Sequence, residues 1–226
     1  MQSGGLFAPF FMDPNFVSAP PPPIPAPFPT EREPPSLQSA AIVQGILERA
    51  TSLHICPQEL ADISQNLEYL FTPSRIQKLV NLYFESWHRN CTVLHQGSFL
   101  IETAPLPLLT SVVLMGAMYS QVDVEVSTAK SVLDVAELYA FSTEDLRDES
   151  EILQIMRTSI TSPDQVVSSG LAFENLFAAY LMVCVQFWAG NLIARKRAVE
   201  TRFATIVKVG FVWIESPSGS LTYKFR

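Results

Sequence analysis

Three residues of types that bind metals or activate substrates lie close together in the chain: His88, Cys91 and His95, with His54 and Cys56 more distant. Structural zinc is held by about four ligands in a tetrahedron. This set has no paired cysteines and no second compact half-site. The residues also have an ordinary structural interpretation, in which His88 ends a helix while Cys91 and His95 fill a turn. We therefore predict no metal site and no bound cofactor.

Catalysis by a thiol would require Cys91 beside a histidine base, and closeness in sequence to His88 and His95 does not establish that geometry. The chain contains no G-x-S-x-G, G-x-x-x-x-G-K-[ST], G-x-G-x-x-G or H-E-x-x-H motif, so the common hydrolase, nucleotide-binding and metalloprotease signatures are absent. We predict no catalytic residues and a protein that is not an enzyme.

Net charge and cysteine content narrow the classes of protein to which this chain can belong. The net charge of −7 with only 15 Lys and Arg disfavours nonspecific attraction to nucleic acid phosphates, which needs many basic contacts. Cys56, Cys91 and Cys184 are too few and too scattered for a disulfide framework, which indicates a reducing compartment. No signal peptide pattern is present at residues 1–20, because prolines and Asp13 interrupt the apolar residues.

The first 38 residues predict a disordered, proline-rich tail, since 11 of the 17 prolines lie within residues 1–35 and proline favours polyproline II over packed structure. Its phenylalanines are either anchors for a partner or part of an inert linker, and composition favours the linker. These phenylalanines are Phe7, Phe10, Phe11, Phe16 and Phe28.

Beyond this tail, apolar residues recur at helical spacing, which predicts an all-α fold built as an irregular helical array. Thr72 and Pro73 form a helix start, with a capping side chain before a first-turn proline, and that helix should end near Arg89. Gly210 is expected to end the last helix. The other predicted helices are Leu106–Ser120, Thr128–Phe141, Leu171–Ala189 and Ile193–Val209.

Two apolar runs, LLTSVVLMGAM and LFAAYLMVCV, raise the question of membrane insertion. A spanning helix needs about 18 to 20 nearly uncharged residues, and polar residues bracket both runs at shorter distances. We therefore predict buried helices of a soluble domain with no membrane partner, and keep a membrane-associated helical protein as the alternative.

The basic run Arg195-Lys196-Arg197 is either a contact for an import receptor or acidic partner, or the solvated face of a helix. Helical spacing favours a solvated face opposite Ile193, Ala194 and Ala198.

The order of several segments resembles the fungal-specific transcription factor domain, the middle homology region of zinc-cluster or C2H2 zinc-finger transcription factors. A helix and turn of the family type match at Tyr83, Phe84, Trp87, His88, Leu94, His95, Ser98 and Phe99. The next family helix matches at Leu108, Leu109, Gly116, Ala117, Tyr119 and Ser120. A later segment matches at Trp188, Gly190, Asn191, Arg195 and Arg197. The likeness spans about Leu79 to Val207, although Arg89, Thr92 and Gly97 replace prolines that are usual in the turn.

The resemblance implies a nuclear regulatory domain that controls transcription by RNA polymerase II through protein co-regulators or a small effector. It also implies that DNA is read only through a zinc module absent from these 226 residues, so zinc is expected in that module alone. Five aromatic residues are either an effector pocket or core, and helical spacing favours core. They are Phe84, Trp87, Phe99, Tyr119 and Trp188.

The family likeness also sets the expected boundaries. Residues 39–209 are predicted to form the N-terminal part of the helical regulatory domain, and residues 210–226 an atypical tail from a truncated or misassembled gene. Such a part-domain should leave apolar sides around Phe177, Leu181 and Phe203 uncovered, which favours self-association.

Overall fold

The structure is a computed structural model that describes residues 33–143, 146 and 168–215, with side chains left out at 168–172 and 211–215. Residues 1–32 and 216–226, which hold most of the predicted tails, lie outside the described residues. Within the described part, every regular element is helical, so the all-α prediction is confirmed. Leu37 and Gln38, assigned above to the disordered tail, are the first two residues of a helix.

Eight α-helices are described. They are α1 (Leu37–Thr51), α2 (Pro57–Leu70), α3 (Pro73–Leu82), α4 (Leu106–Ala117), α5 (Asp123–Ala140), α6 (Ser168–Ala189), α7 (Leu192–Arg197) and α8 (Phe203–Glu215). Helix α3 continues directly into a π-helical turn, Tyr83–Trp87, and a second π-helical turn, Ala198–Arg202, joins α7 to α8. A short 3-10 turn at Gln96–Ser98 lies in the connection to α4.

Side-chain caps begin three of the described helices, α1, α2 and α7. The Ser36 hydroxyl accepts a hydrogen bond from the Ser39 amide at 3.1 Å, and the Asn191 side chain accepts one from the Ala194 amide at 2.9 Å. Such bonds satisfy amides that have no partner inside the helix. The prediction for the start of α3 is confirmed for Pro73, which lies in the first turn. It is wrong for Thr72, whose side chain caps no backbone amide. Its hydroxyl instead accepts from the Arg75 guanidinium at 3.4 Å.

Several predicted helix bounds were wrong. Helix α5 begins at Asp123 rather than Thr128, because acidic residues in its first turn suit the positive end of the helix dipole. Helix α4 ends at Ala117, short of Ser120. The last helix does not stop at Gly210, since the chain remains helical to Glu215. Gly210 has no positive φ, the backbone conformation in which glycine commonly ends a helix.

Helix α4 lies at the centre of the core and packs against α1, α3, α5 and α6. All its residues from Leu108 to Ala117 are buried. Helix α6 packs along α4 through residues such as Ala178, Leu181 and Met182. The two apolar runs are therefore buried helices, as predicted. In the described part of the chain, no helix is both long and apolar enough to cross a membrane.

Glu125 ties the start of α5 to α3. Its buried carboxylate accepts hydrogen bonds from Lys78 Nζ at 2.7 and 2.8 Å and from the Ser120 hydroxyl, and Arg75 Nε lies 3.8 Å away. Burial raises the pKa of Glu125, but the bonds from Lys78 and Ser120 and the charges of Lys78 and Arg75 outweigh burial, so the net pKa is lowered. The carboxylate thus stabilises the α3 and α5 contact in its ionised form.

Glu125→Gln is expected to lower stability at neutral pH and to weaken its dependence on pH in acid. A lowered folded-state pKa contributes stability above the unfolded-state pKa, and this contribution is lost as pH falls through the folded-state value. Urea unfolding measured from neutral pH to below about pH 4 checks this, because unfolded Glu titrates near 4.3. The exposed Glu68→Gln gives the same charge change as a control. An equally steep acid limb in Glu125→Gln would contradict the assignment.

Candidate functional site

The histidines and cysteines singled out by type do not form one cluster. His54 is exposed in a left-handed conformation with φ of 54°. The His88 ring lies just beyond the first π-helical turn, where Nε2 is 2.6 Å from the Leu94 carbonyl oxygen. His95 is exposed in the turn. Among described residues, no group of three or more His, Cys, Asp or Glu is placed to hold a metal.

The π-helical turn Tyr83–Trp87 positions a group of aromatic rings. The His88 amide donates to the Tyr83 carbonyl at 2.9 Å, the bond that widens the helix by one residue. Such turns occur often at functional sites. Tyr83 and Phe84 contact edge to face at 5.0 Å between ring centroids, and Phe84 meets Phe99 at 5.5 Å.

Residues of α6 lie opposite this turn. Trp87 and Trp188 meet edge to face with centroids 4.8 Å apart. Two further residues, Tyr180 and Cys184, precede Trp188 at intervals of four, so all three share one side of α6. We call the six residues that meet here the aromatic seam: Tyr83, Trp87, Cys91, Tyr180, Cys184 and Trp188.

Cys91 lies close enough to Tyr83, Tyr180 and Cys184 to affect their pKa values. Burial raises the pKa of Tyr83, and the charge of Cys91 raises it further. Burial likewise raises the pKa of Tyr180 to about 12, with added effects from Cys184 and Cys91. Burial also raises the pKa of both Cys91 and Cys184. The thiols therefore remain protonated at neutral pH, which suits packing or binding better than nucleophilic chemistry.

Two buried polar atoms of the aromatic seam have no hydrogen-bond partner: the Tyr83 hydroxyl and Trp87 Nε1. Both residues are on the same π-helical turn, four positions apart. Buried polar groups are satisfied in the great majority of cases, and an unsatisfied one costs about 1 to 3 kcal/mol. Both donors are therefore expected to lower the stability of the folded chain.

Tyr83→Phe is expected to raise the free energy of unfolding of the chain by about 1 kcal/mol, because it removes an unpartnered buried hydroxyl while keeping the ring. Chemical denaturation followed by circular dichroism measures this. Tyr69→Phe is the control, since that ring stacks with the Arg75 guanidinium at 3.8 Å. A loss of stability in Tyr83→Phe would mean that the hydroxyl is satisfied within the folded chain.

The five aromatic residues considered as either effector pocket or core divide between core and surface. Phe84 and Trp87 are buried in the core, as the core interpretation predicted. Phe99 and Tyr119 are half-buried, and Trp188 is half-exposed at the end of α6. Reasoning from sequence missed Tyr180 and Cys184, although their four-residue spacing to Trp188 was a usable signal.

The prediction that the basic run is a solvated face is confirmed for Arg195 and Lys196 and wrong for Arg197. Arg197 forms ion pairs with Asp134 at 2.5 Å and Glu137 at 2.7 Å. The Arg195 guanidinium donates to the Gly190 and Trp188 carbonyls, each at 3.0 Å. Arg195 and Lys196 are nevertheless both exposed, whereas Arg197 is half-buried. On the opposite side, Ala194 and Ala198 are buried as predicted, but Ile193 is exposed.

Glu137 is the centre of this ion-pair network and is buried in α5. It accepts from Arg202 Nε at 2.6 Å and from the Gln186 amide at 2.9 Å, besides Arg197. The pKa of Arg197 is raised, chiefly by its hydrogen bond to Glu137. The network holds α7, the second π-helical turn and α6 against α5.

The apolar positions expected to lie uncovered are only partly so. Phe177 and Leu181 are buried, because α6 packs on α4. Phe203 is 49% exposed, as predicted.

Comparison with known proteins gives the following matches. Residues 80–164 match the family profile described as the fungal specific transcription factor domain. The chain is 26% identical over 142 residues to Transcription factor verF of Penicillium polonicum, an alignment that covers 61% of this chain and 18% of that protein. No solved structure matches the chain significantly. These matches confirm the resemblance that the sequence indicated.

Proposed function

We propose, from the resemblance of residues 80–164 to the fungal specific transcription factor domain, that this chain is the regulatory domain of a fungal transcription factor. It acts in the nucleus on transcription by RNA polymerase II, through protein co-regulators or an effector. The observation that carries this proposal is that the matched segment contains half of the aromatic seam. Tyr83, Trp87 and Cys91 fall inside it.

The aromatic seam suits a regulatory contact better than a catalytic one. Trp188 is half-exposed and touches the buried Trp87, so a molecule bound at the surface has a direct packing connection to the core. Aromatic residues of this kind commonly anchor partners.

DNA recognition is assigned to a zinc module outside these residues. The sequence has a net charge of −7 and lacks a cysteine and histidine array for zinc. A recognition helix supported by basic phosphate contacts is what sequence-specific binding to duplex DNA ordinarily requires.

A tethered reporter assay tests the proposal. The chain is fused to a heterologous DNA-binding domain in a fungal cell, and we expect the fusion to enter the nucleus and to change reporter output several-fold relative to the DNA-binding domain alone. Trp188→Ala should remove most of this change. Phe187→Ala, its equally exposed neighbour on α6, should not. Reporter output equal to the DNA-binding domain alone, with the fusion present in the nucleus, would contradict the proposal.

A further inference from the structure

A stripe of exposed apolar side chains follows one side of α7, the second π-helical turn and α8. Its members are Leu192, Val199, Phe203 and Val207, at spacings of seven, four and four residues, which place them along one helical face. Leu192 is 83% exposed and Val199 is 52% exposed. We call these four residues the C-terminal stripe.

The C-terminal stripe faces outward because the opposite side of the same helical segment is fixed to α5. Arg197 and Arg202 fix that side to Glu137 of α5, and Ala194 and Ala198 are buried there. The apolar stripe therefore cannot turn inward without breaking the buried ion pairs. Contiguous exposed apolar surface of this kind marks interaction sites.

The charges beside the stripe indicate which partner it fits. Lys196 and Glu200 are both largely exposed, lie on the same flank of the stripe, and approach each other at 3.9 Å. When a twofold axis relates two antiparallel helices, a residue that lies before the axis in one copy faces a residue of the other copy. The facing residue lies the same number of positions after the axis, on the same flank. Lys196 and Glu200 are each two positions from Ala198. An axis at that level places Lys196 of each copy opposite Glu200 of the other.

The apolar positions obey the same symmetry. Leu192 lies six positions before Ala198 and Phe203 five positions after it, so each Leu192 would meet the other copy's Phe203 within about 1.5 Å along the helix axis. Val199 lies next to the axis and would meet its own counterpart. A twofold axis at Ala198 therefore brings apolar residues of one copy opposite apolar residues of the other, and Lys196 opposite Glu200.

We infer that the C-terminal stripe is a homodimer interface, in which α7 and α8 of two copies pack antiparallel about Ala198. The interface is separate from the aromatic seam, so it does not depend on the function proposed above. Both apolar contact and reciprocal ion pairs select a second copy of this chain over a partner of unrelated charge pattern.

Sedimentation equilibrium on the full 226-residue chain tests this inference. We expect a dimer at micromolar concentrations. Val199→Glu should weaken it at least about tenfold, as expected for a central apolar contact. Val124→Glu is the matched control, because Val124 is a 56% exposed valine on α5. Circular dichroism verifies that both variants keep the fold.

A charge-exchange experiment separates contacts between copies from effects within one chain. Lys196→Glu and Glu200→Lys should each weaken self-association, because each homodimer then opposes like charges. Mixing the two variants should restore dimers, since the heterodimer pairs Glu with Lys at both places. A monomeric wild type, a Val199→Glu variant that dimerises as well as Val124→Glu, or a mixture that stays monomeric would overturn the inference. The second outcome would assign any self-association to another surface.

Discussion

Gly116→Ala is expected to destabilise the chain by about 3 kcal/mol or more, at the upper end of overpacking effects. A Cβ atom at this position would lie 1.9 Å from the Leu79 carbonyl oxygen and 2.8 Å from its carbon. These are backbone atoms of α3, so no side-chain rotation relieves the clash. The two helices would have to separate, and the core around α4 would lose its close packing.

Urea denaturation followed by far-ultraviolet circular dichroism measures this effect. Gly210→Ala is the matched control, because nothing lies within 4 Å of a Cβ built there. Replacing glycine inside a helix by alanine stabilises by about 0.5 to 1 kcal/mol when space is free. The two substitutions should therefore shift the urea midpoint in opposite directions. A Gly116→Ala variant as stable as the wild type would contradict the packing of α3 against α4.

Glu137→Ala is expected to cost about 3 to 5 kcal/mol, the range for removing one partner from a buried ion pair. The carboxylate is 1% exposed and is shared by Arg197, Arg202 and the Gln186 amide. Without it, two guanidinium groups remain partly buried with only Asp134 nearby. The contacts that hold α7 and the second π-helical turn to α5 would be lost together.

Thermal and urea unfolding of Glu137→Ala against Glu200→Ala tests the role of burial. Glu200 pairs with Lys196 at the surface, and exposed pairs contribute only about 0 to 1 kcal/mol. Equal costs for the two variants would mean that the Glu137 network contributes no more than a surface ion pair. Arg202→Met should weaken stability less than Glu137→Ala, because Glu137 keeps Arg197.

The aromatic seam shows how far local pattern predicts a site. Trp87 and Trp188 were considered from spacing and resemblance as either pocket or core residues, and the structure places their rings in edge-to-face contact. From the sequence, Cys91 was considered as a metal ligand, a nucleophile or a turn residue, but not as a neighbour of Cys184. Its effect on the pKa of Cys184 arises because two residues 93 positions apart in the chain lie close together in the fold. No periodicity within one helix carries that information.

The sequence by itself determined the helical class, the burial of the two apolar runs and the proline at the start of α3. These follow from short-range physics, namely helical periodicity, side-chain hydrophobicity and the fixed φ of proline. The sequence predicted helix ends less well. Gly210, for example, is compatible both with the end of a helix and with its continuation, and only the tertiary surroundings of Gly210 decide between them.

Tertiary structure alone decided which charges are buried and which apolar residues are exposed on the last two helices. Arg195, Lys196 and Arg197 have similar sequence surroundings, yet only Arg197 meets the buried Glu137 of α5. That pairing depends on how α7, which follows α6, is placed against α5. Sequence spacing cannot specify such a long-range arrangement. The same rotation of α7 that brings Arg197 to Glu137 turns Leu192 and Val199 outward, because opposite sides of one helix cannot both face the core.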